Sequence, residues 1–282
     1  MEDTDAPAGR ADNQGDSSSF LSHGGTLAFA HRGGTESAPE NSLAAFAAAV
    51  EVGFSYLETD VHLTADGIVV AAHDERLDRV TDSTGAIAEL TWQEVSRARI
   101  AGTEPIPTLE ELLVAFPEVK FNIDAKSDAV VEPLMDLLVR HDALERVCVG
   151  AFSQERLERV RGRFGSALCT SAGPREVASM VARSRVRARG GASAADYACL
   201  QVPVAHRGVT VVSSRMVELA HSAGVQVHVW TIDEPGEMHR LLDLGVDGIM
   251  TDRPSVLRGV LEERGSWDEG GPESPPGAAI GT

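Results

Sequence analysis

A chain of 282 residues, 43% hydrophobic and 24% charged, has the balance of a globular protein with enough apolar material for one large core. That composition excludes a collagen-like, coiled-coil or wholly disordered chain. The formal charge of −18 repels polyanions at long range, which argues against a nucleic-acid partner or stable association with an anionic membrane.

Residues 1–24 are polar and acidic, without the basic start and apolar stretch of an export signal, and are expected to be disordered. The Gly/Pro-rich stretch 265–282 carries the same expectation. No apolar run is long enough to span a membrane, so a cytoplasmic protein is expected. No linker breaks residues 25–264, which read as a single domain.

Within that domain short apolar runs alternate with amphipathic stretches. The expected strands are Leu27–Ala30, Tyr56–Leu63, Val119–Ile123, Val147–Ala151, Ala167–Thr170, Cys199–Val202, Val225–Trp230 and Gly248–Met250. The expected helices are Ser42–Val50, Val130–His141, Gln154–Arg161, Pro174–Ala188, Ser214–Ser222 and Pro235–Leu244. Pro174 and Pro235 suit a first helical turn, and Gly53, Gly224 and Gly245 suit the residue that ends one. Strands this continuously apolar belong to a parallel sheet covered on both faces. Eight such units in a domain of this size predict an α/β fold, a (β/α)8 TIM barrel. An open doubly wound sheet is the rival, but His31-Arg32-Gly33-Gly34 after the first strand lacks its glycine fingerprint.

One connection is too long for a simple crossover, at about residues 64–118. It opens with Ala65-Asp66-Gly67 and an extended run, Ile68–Ala72, which predicts a hairpin. A two-residue turn at Asp66-Gly67 pairs Ala65 with Ile68 and sets His73 opposite Asp60. A slip of one or two residues sets it opposite Glu58 or nearby.

Barrel chemistry lies at the C-terminal ends of the strands. There the chain places His31-Arg32, Glu58-Thr59-Asp60, Asp124-Ala125-Lys126, Trp230-Thr231 and Thr251-Asp252. Glu58 and Asp60 lie two apart on one strand and share a face. With Asp124 they form an all-oxygen carboxylate set suited to Mg²⁺ or Ca²⁺ rather than zinc, the plain alternative being ion pairs with nearby arginines. His62 shares that face as a fourth candidate, though its strand reads as having left the barrel by then. Glu40-Asn41-Ser42 reads as a helix cap, and Trp230 either as a core aromatic or as a site wall. Cys148, Cys169 and Cys199 are too few and odd in number for a disulfide framework, and read as small buried hydrophobes.

The ordered set His31-Arg32-Gly33, Pro39-Glu40-Asn41, Glu58-Thr59-Asp60-Val61, Thr64, Asp66-Gly67 and His73-Asp74 resembles the glycerophosphodiester phosphodiesterase family. Pro107–Glu111, Asn122–Lys126, Val229-Trp230-Thr231 and Gly245–Asp252 continue the resemblance in order, from about Leu27 to Val260. The resemblance implies a barrel with an insertion after the second strand, a divalent cation and a catalytic histidine pair. By position, His31 and His73 match that pair. Glu58 and Asp60 match metal ligands, and Asp124 stands where the family often has Glu. Arg32 and Lys126 match phosphate-binding cations. Trp230 matches a substrate wall, and Glu40 and Asn41 the edge of the site.

The residue types suit the reaction independently. A phosphodiester repels nucleophiles by its own charge, which a metal, Arg32 and Lys126 would offset. Histidine near neutral pH can give or take a proton, and the sequence assigns neither role to either histidine. The implied activity is hydrolysis of a small glycerophosphodiester to sn-glycerol 3-phosphate and an alcohol. Phospholipase D-like action on lysophospholipids is the second reading, disfavoured by 5% aromatic content and no basic amphipathic helix. A non-catalytic phosphodiester-binding protein is the third, and the intact set of candidate residues counts against it. Nothing in the sequence sets the oligomeric state.

Overall fold

The computed structural model describes residues 19–186 and 195–267. Nine strands make its main sheet: β1 (Leu27–Ala30), β2 (Tyr56–Leu63), β3 (Val69–Ala71), β4 (Lys120–Ala125), β5 (Val147–Gly150), β6 (Cys169–Thr170), β7 (Cys199–Val202), β8 (Gln226–Val229) and β9 (Gly248–Thr251). The parallel order is β6-β5-β4-β2-β1-β9-β8-β7, with β3 antiparallel on β2. The two ends of that order meet where Ser171 pairs with Cys199: the Ala198 N–H donates to the Thr170 carbonyl at 3.0 Å and the Ala172 N–H to that of Cys199 at 2.8 Å. The sheet therefore closes into the expected eight-stranded barrel, and the open sheet is excluded. The expected strands and helices recur with ends shifted by at most a few residues, the last of Pro174–Ala188 lying outside the described residues. Helices Leu109–Ala115 and Pro254–Glu263 add to the expected set.

Strand alternation sorts the side chains into two layers. Leu57, Val61, Phe121, Ile123, Val149 and Ile249 face the surrounding helices in the large core. Phe29, Tyr56, Cys148, Cys169, Cys199 and Met250 pack together inside the barrel. The register stacks this lumen in rows, with Tyr56 beside Lys120, Glu58 beside Asn122 and Asp60 beside Asp124. Carboxylates thus rise toward the C-terminal mouth while aromatics and thiols fill the floor.

Both tail expectations need correction at their inner edges. Ser19–Leu21 forms a turn that plugs the floor, with Phe20 wholly buried and its carbonyl accepting from the Tyr56 hydroxyl at 2.7 Å. Lys120 Nζ donates to the carbonyls of Ser19, Phe20 and Ser22 at 2.9–3.1 Å. An aromatic anchor and one ammonium order a segment whose composition alone reads as disordered. Trp267 likewise lies 5.5 Å from the Phe54 ring, so the C-terminal tail begins beyond it. The rest of both tails lies outside the described residues.

The hairpin is present, but its turn is not the expected two-residue one. Val61, His62 and Leu63 pair with Ala71, Val70 and Val69 around Ala65-Asp66-Gly67. Thr64 widens the turn: its hydroxyl donates to Asp66 Oδ1 at 2.7 Å and accepts from the Ile68 N–H at 2.9 Å. The register moves by one residue, and continuing it sets Ala72 level with Asp60 and His73 level with Thr59. The rest of the insertion builds a small core of its own from Val70, Leu77, Ile87, Val95, Ile100 and Ile106.

Candidate active site

Four strand ends and the insertion deliver the polar residues of the mouth. After β1 the chain turns with Arg32 at φ 53° and Gly33 at φ 83°. A Cβ on Gly33 would meet the Ala45 and Phe46 backbone at 2.9 Å, so only glycine lets this turn lie on the helix Leu43–Glu51. The turn folds the Arg32 N–H onto Glu58 Oε2 at 3.0 Å. Its guanidinium reaches Asp60 Oδ2 at 3.2 Å and Glu40 Oε1 at 3.1 Å. Lys126 Nζ sits between Asp60 Oδ1 and Asp124 Oδ2, 2.7 Å from each.

Both candidate histidines carry a carboxylate on Nδ1. His31 Nδ1 donates to Asp252 Oδ1 at 2.7 Å, and its Nε2 lies 3.9 Å from Glu58 Oε2. His73 Nδ1 donates to Asp74 Oδ1 at 2.6 Å. Arg79 clamps that second pair, binding Asp74 Oδ2 at 2.5 Å and Glu40 Oε1 at 2.7 Å. The insertion is thereby tied to the loop that follows β1. His62 instead donates from Nε2 to the His73 carbonyl at 3.2 Å, which makes it a support of the insertion rather than a fourth carboxylate-face ligand.

The electrostatics follow from burial and partners. Burial and the charge of Asp60 push the Glu58 carboxyl up from its usual range. Burial opposes the charged form of His31, but Glu58 and Asp252 outweigh it and raise its pKa. Burial also raises Asp124 despite its ammonium partner, while Lys126, desolvated but facing two acids, is held more firmly charged. Two carboxylates against one ammonium leave the excess charge on the acids. At the insertion the Arg79 hydrogen bond holds Asp74 at about 2.

The remaining candidates also gather here. Asn41 adopts φ 57° and accepts from the Thr59 hydroxyl at 2.8 Å, joining the loop after β1 to β2. Trp230 is half-buried above the lumen cluster, 5.9 Å from the Phe152 ring. Phe152 is 69% exposed and lies under Lys126, 5.7 Å from Nζ. Four contributors carry no assigned role in the sequence: Asp252, though it stands at the end of the last strand, Asp74, Arg79 and Phe152. Asp252 and Asp74 sat within quoted motifs, but pairing Asp252 with His31 requires knowing that β9 adjoins β1. No sequence signal distinguishes Arg79 from the other exposed arginines.

The donor set fits a hard divalent cation in charge and chemistry. Asp60 Oδ2 and Asp124 Oδ1 are buried without a hydrogen-bond partner, although Arg32 Nε stands near the former. Spacing is less complete. Lys126 separates Asp60 from Asp124. Among the described residues the one group of three ligand atoms within 4.8 Å of one another belongs to the cysteines.

The model of the glycerophosphoryl diester phosphodiesterase family matches residues 31–256. "Probable glycerophosphodiester phosphodiesterase 2" of Mycobacterium tuberculosis is 42% identical over 255 residues, covering 88% of this chain and 96% of the relative. Human "Lysophospholipase D GDPD1" is 28% identical over 265 residues, covering 82% and 84%. The crystal structure of a putative glycerophosphoryl diester phosphodiesterase from Silicibacter pomeroyi superposes with a TM-score of 0.73 at 24% identity, covering 88% of this chain and 98% of that one, a likeness of fold. A family match from the end of β1 through β9, with the motif residues assembled at one mouth, leads to a single conclusion: the chain belongs to the glycerophosphoryl diester phosphodiesterase family of enzymes.

Proposed function

We propose that the enzyme hydrolyses small glycerophosphodiesters to sn-glycerol 3-phosphate and an alcohol, with His31 and His73 as the acid–base pair. The observation that carries this reading is the pairing of each histidine, through Nδ1, with its own carboxylate beside a buried acidic cluster. Nδ1 held in this way leaves Nε2 as the working nitrogen of each ring. Asp252 and Asp74 keep the rings oriented, and Asp252 with Glu58 favours the charged form of His31. One histidine takes the proton of the attacking nucleophile and the other protonates the departing alkoxide. Arg32 and Lys126 bind the phosphate oxygens, releasing part of their hold on Asp60 and Asp124 to do so. Trp230 walls the substrate, while Glu40 and Asn41 hold the loop after β1.

Glu58, Asp60 and Asp124 would hold the divalent cation, Mg²⁺ or Ca²⁺. When bound it supplies Lewis-acid charge to the phosphoryl group. A cytoplasmic location agrees with the finding that no helix of the described residues is long and apolar enough to cross a membrane.

The test is release of sn-glycerol 3-phosphate from glycerophosphocholine, with and without chelator. Chelator-sensitive release supports the reading, and none from metal-loaded, folded protein overturns it. The lysophospholipid reading draws on exposed Phe152 beside Trp230, an apolar edge able to receive an acyl chain. Faster turnover of lysophosphatidylcholine than of glycerophosphocholine, lost in Phe152→Ser, would select it.

A further inference from the structure

The floor of the barrel holds three thiols that the phosphodiesterase chemistry does not use. Cys148 on β5, Cys169 on β6 and Cys199 on β7 are buried and project inward from three successive strands. Cys148 and Cys169 are register partners, and Cys199 stands at the bridge that closes the barrel. Their sulfurs lie within 4.8 Å of one another, with Cys148 and Cys199 4.0 Å apart. A disulfide needs about 2.05 Å, so no disulfide joins any two of them. In a planar trigonal unit the sulfurs stand √3 bond lengths apart, about 4.0 Å for a bond of about 2.3 Å and more for a larger ion, within the 4.8 Å that bounds this group.

We propose that Cys148, Cys169 and Cys199 form a three-thiolate site for a soft, three-coordinate d¹⁰ cation of the Cd²⁺ or Cu⁺ type. Thiolates select soft ions, whereas structural zinc takes four ligands. Among the described residues no fourth Asp, Glu, His or Cys completes the group. Binding a divalent ion exchanges three S–H protons for three metal–sulfur bonds and leaves one net negative charge. The Lys120 ammonium, bonded to the Tyr56 hydroxyl at 3.0 Å on the same floor, lies within electrostatic reach of Cys169 to offset it. Burial pushes the Cys148 thiol well above its usual value, so acid weakens binding. The ion would staple β5, β6 and β7 across the seam where the barrel closes through a single bridge. This inference is independent of the proposed reaction, which occupies the opposite end of the lumen.

The experiment titrates the reduced, full-length chain with Cd²⁺ and follows the thiolate-to-cadmium charge-transfer band, which carboxylate-bound Cd²⁺ does not give. We expect an endpoint of one ion per chain, three protons released, and a raised melting temperature. Cys148→Ala, Cys169→Ala and Cys199→Ala should each weaken binding at least about tenfold. If a variant fails to fold, the ¹¹³Cd resonance of the wild type decides alone, because sulfur and oxygen ligands give well-separated shifts. An all-sulfur resonance supports the site. No band, a band unchanged in a folded Cys148→Ala variant, or an oxygen-ligated resonance overturns it and leaves the thiols as small core hydrophobes.

Discussion

His31 at the mouth of the barrel and His228 deeper in its lumen are both histidines removed from water, and their surroundings move them in opposite directions. His228 is fully buried against the Phe29 ring at 5.0 Å. Its Nε2 meets Gln226 Oε1 at 3.0 Å, and among the described residues Nδ1 has no hydrogen-bond partner. Burial alone pushes it down to about 3. His31 suffers the same desolvation, but Asp252 and Glu58 reverse its direction. Burial makes a histidine neutral and inert, and a carboxylate on one ring nitrogen turns the same residue into a proton carrier. The contrast separates the histidine proposed to carry a proton from one that only packs, without reference to kinetics.

The largest effect that tests this contrast is at the mouth. His31→Asn should lower kcat by about 10³-fold, some 4 kcal/mol of transition-state stabilisation, in steady-state release of glycerol 3-phosphate. His228→Gln should leave that rate within about twofold, and an equal loss in the two variants would erase the distinction.

The next effect is thermodynamic and belongs to His228. Its folded pKa of about 3 lies below the ordinary 6.5, so between those values the unfolded chain binds a proton that the folded one refuses. The stability attached to its neutral form is present above pH 6.5 and is lost as pH falls toward 3. Urea midpoints should register a loss of about 3 kcal/mol from this residue between pH 7 and pH 4. His228→Gln should flatten that part of the pH profile, and an unchanged profile would assign the acid sensitivity to other groups.

Smaller effects compare the two histidine–carboxylate pairs. Asp252→Asn and Asp74→Asn should each lower kcat by about 10–100-fold, with KM nearly constant. Arg79→Ala should lower kcat/KM by only about tenfold, because it acts through Asp74 and Glu40. Its effect on the melting temperature should be within about 2 °C, since half-exposed ion pairs contribute little stability. A large melting shift would recast Arg79 as a folding residue rather than a positioning one.

Much of this architecture was legible along the chain. Leu27–Ala30, Tyr56–Leu63 and Cys199–Val202 stand where their apolar runs predict, because a strand buried on both faces has little freedom to slip. Two-residue periodicity placed Glu58 and Asp60 on one inward face, and the register confirms it. The turn at Asp66-Gly67 takes the one-residue slip that the sequence leaves open, because the Thr64 hydroxyl closes a wider loop that the Asp-Gly signal does not encode. Phe20 was misread as part of a disordered tail, because one aromatic in a polar segment orders only when a cavity and the Lys120 ammonium await it.

The amino-acid sequence by itself determined the strands, the inward alternation and the order in which charged residues arrive at strand ends, all of which depend on near neighbours. Tertiary structure alone decided that Asp252 meets His31, that Arg79 binds both Glu40 and Asp74, and that three distant cysteines share one floor. These pairings depend on which strands become neighbours when the barrel closes and on how the insertion folds back. Both are set by burial of the whole core rather than by any local spacing.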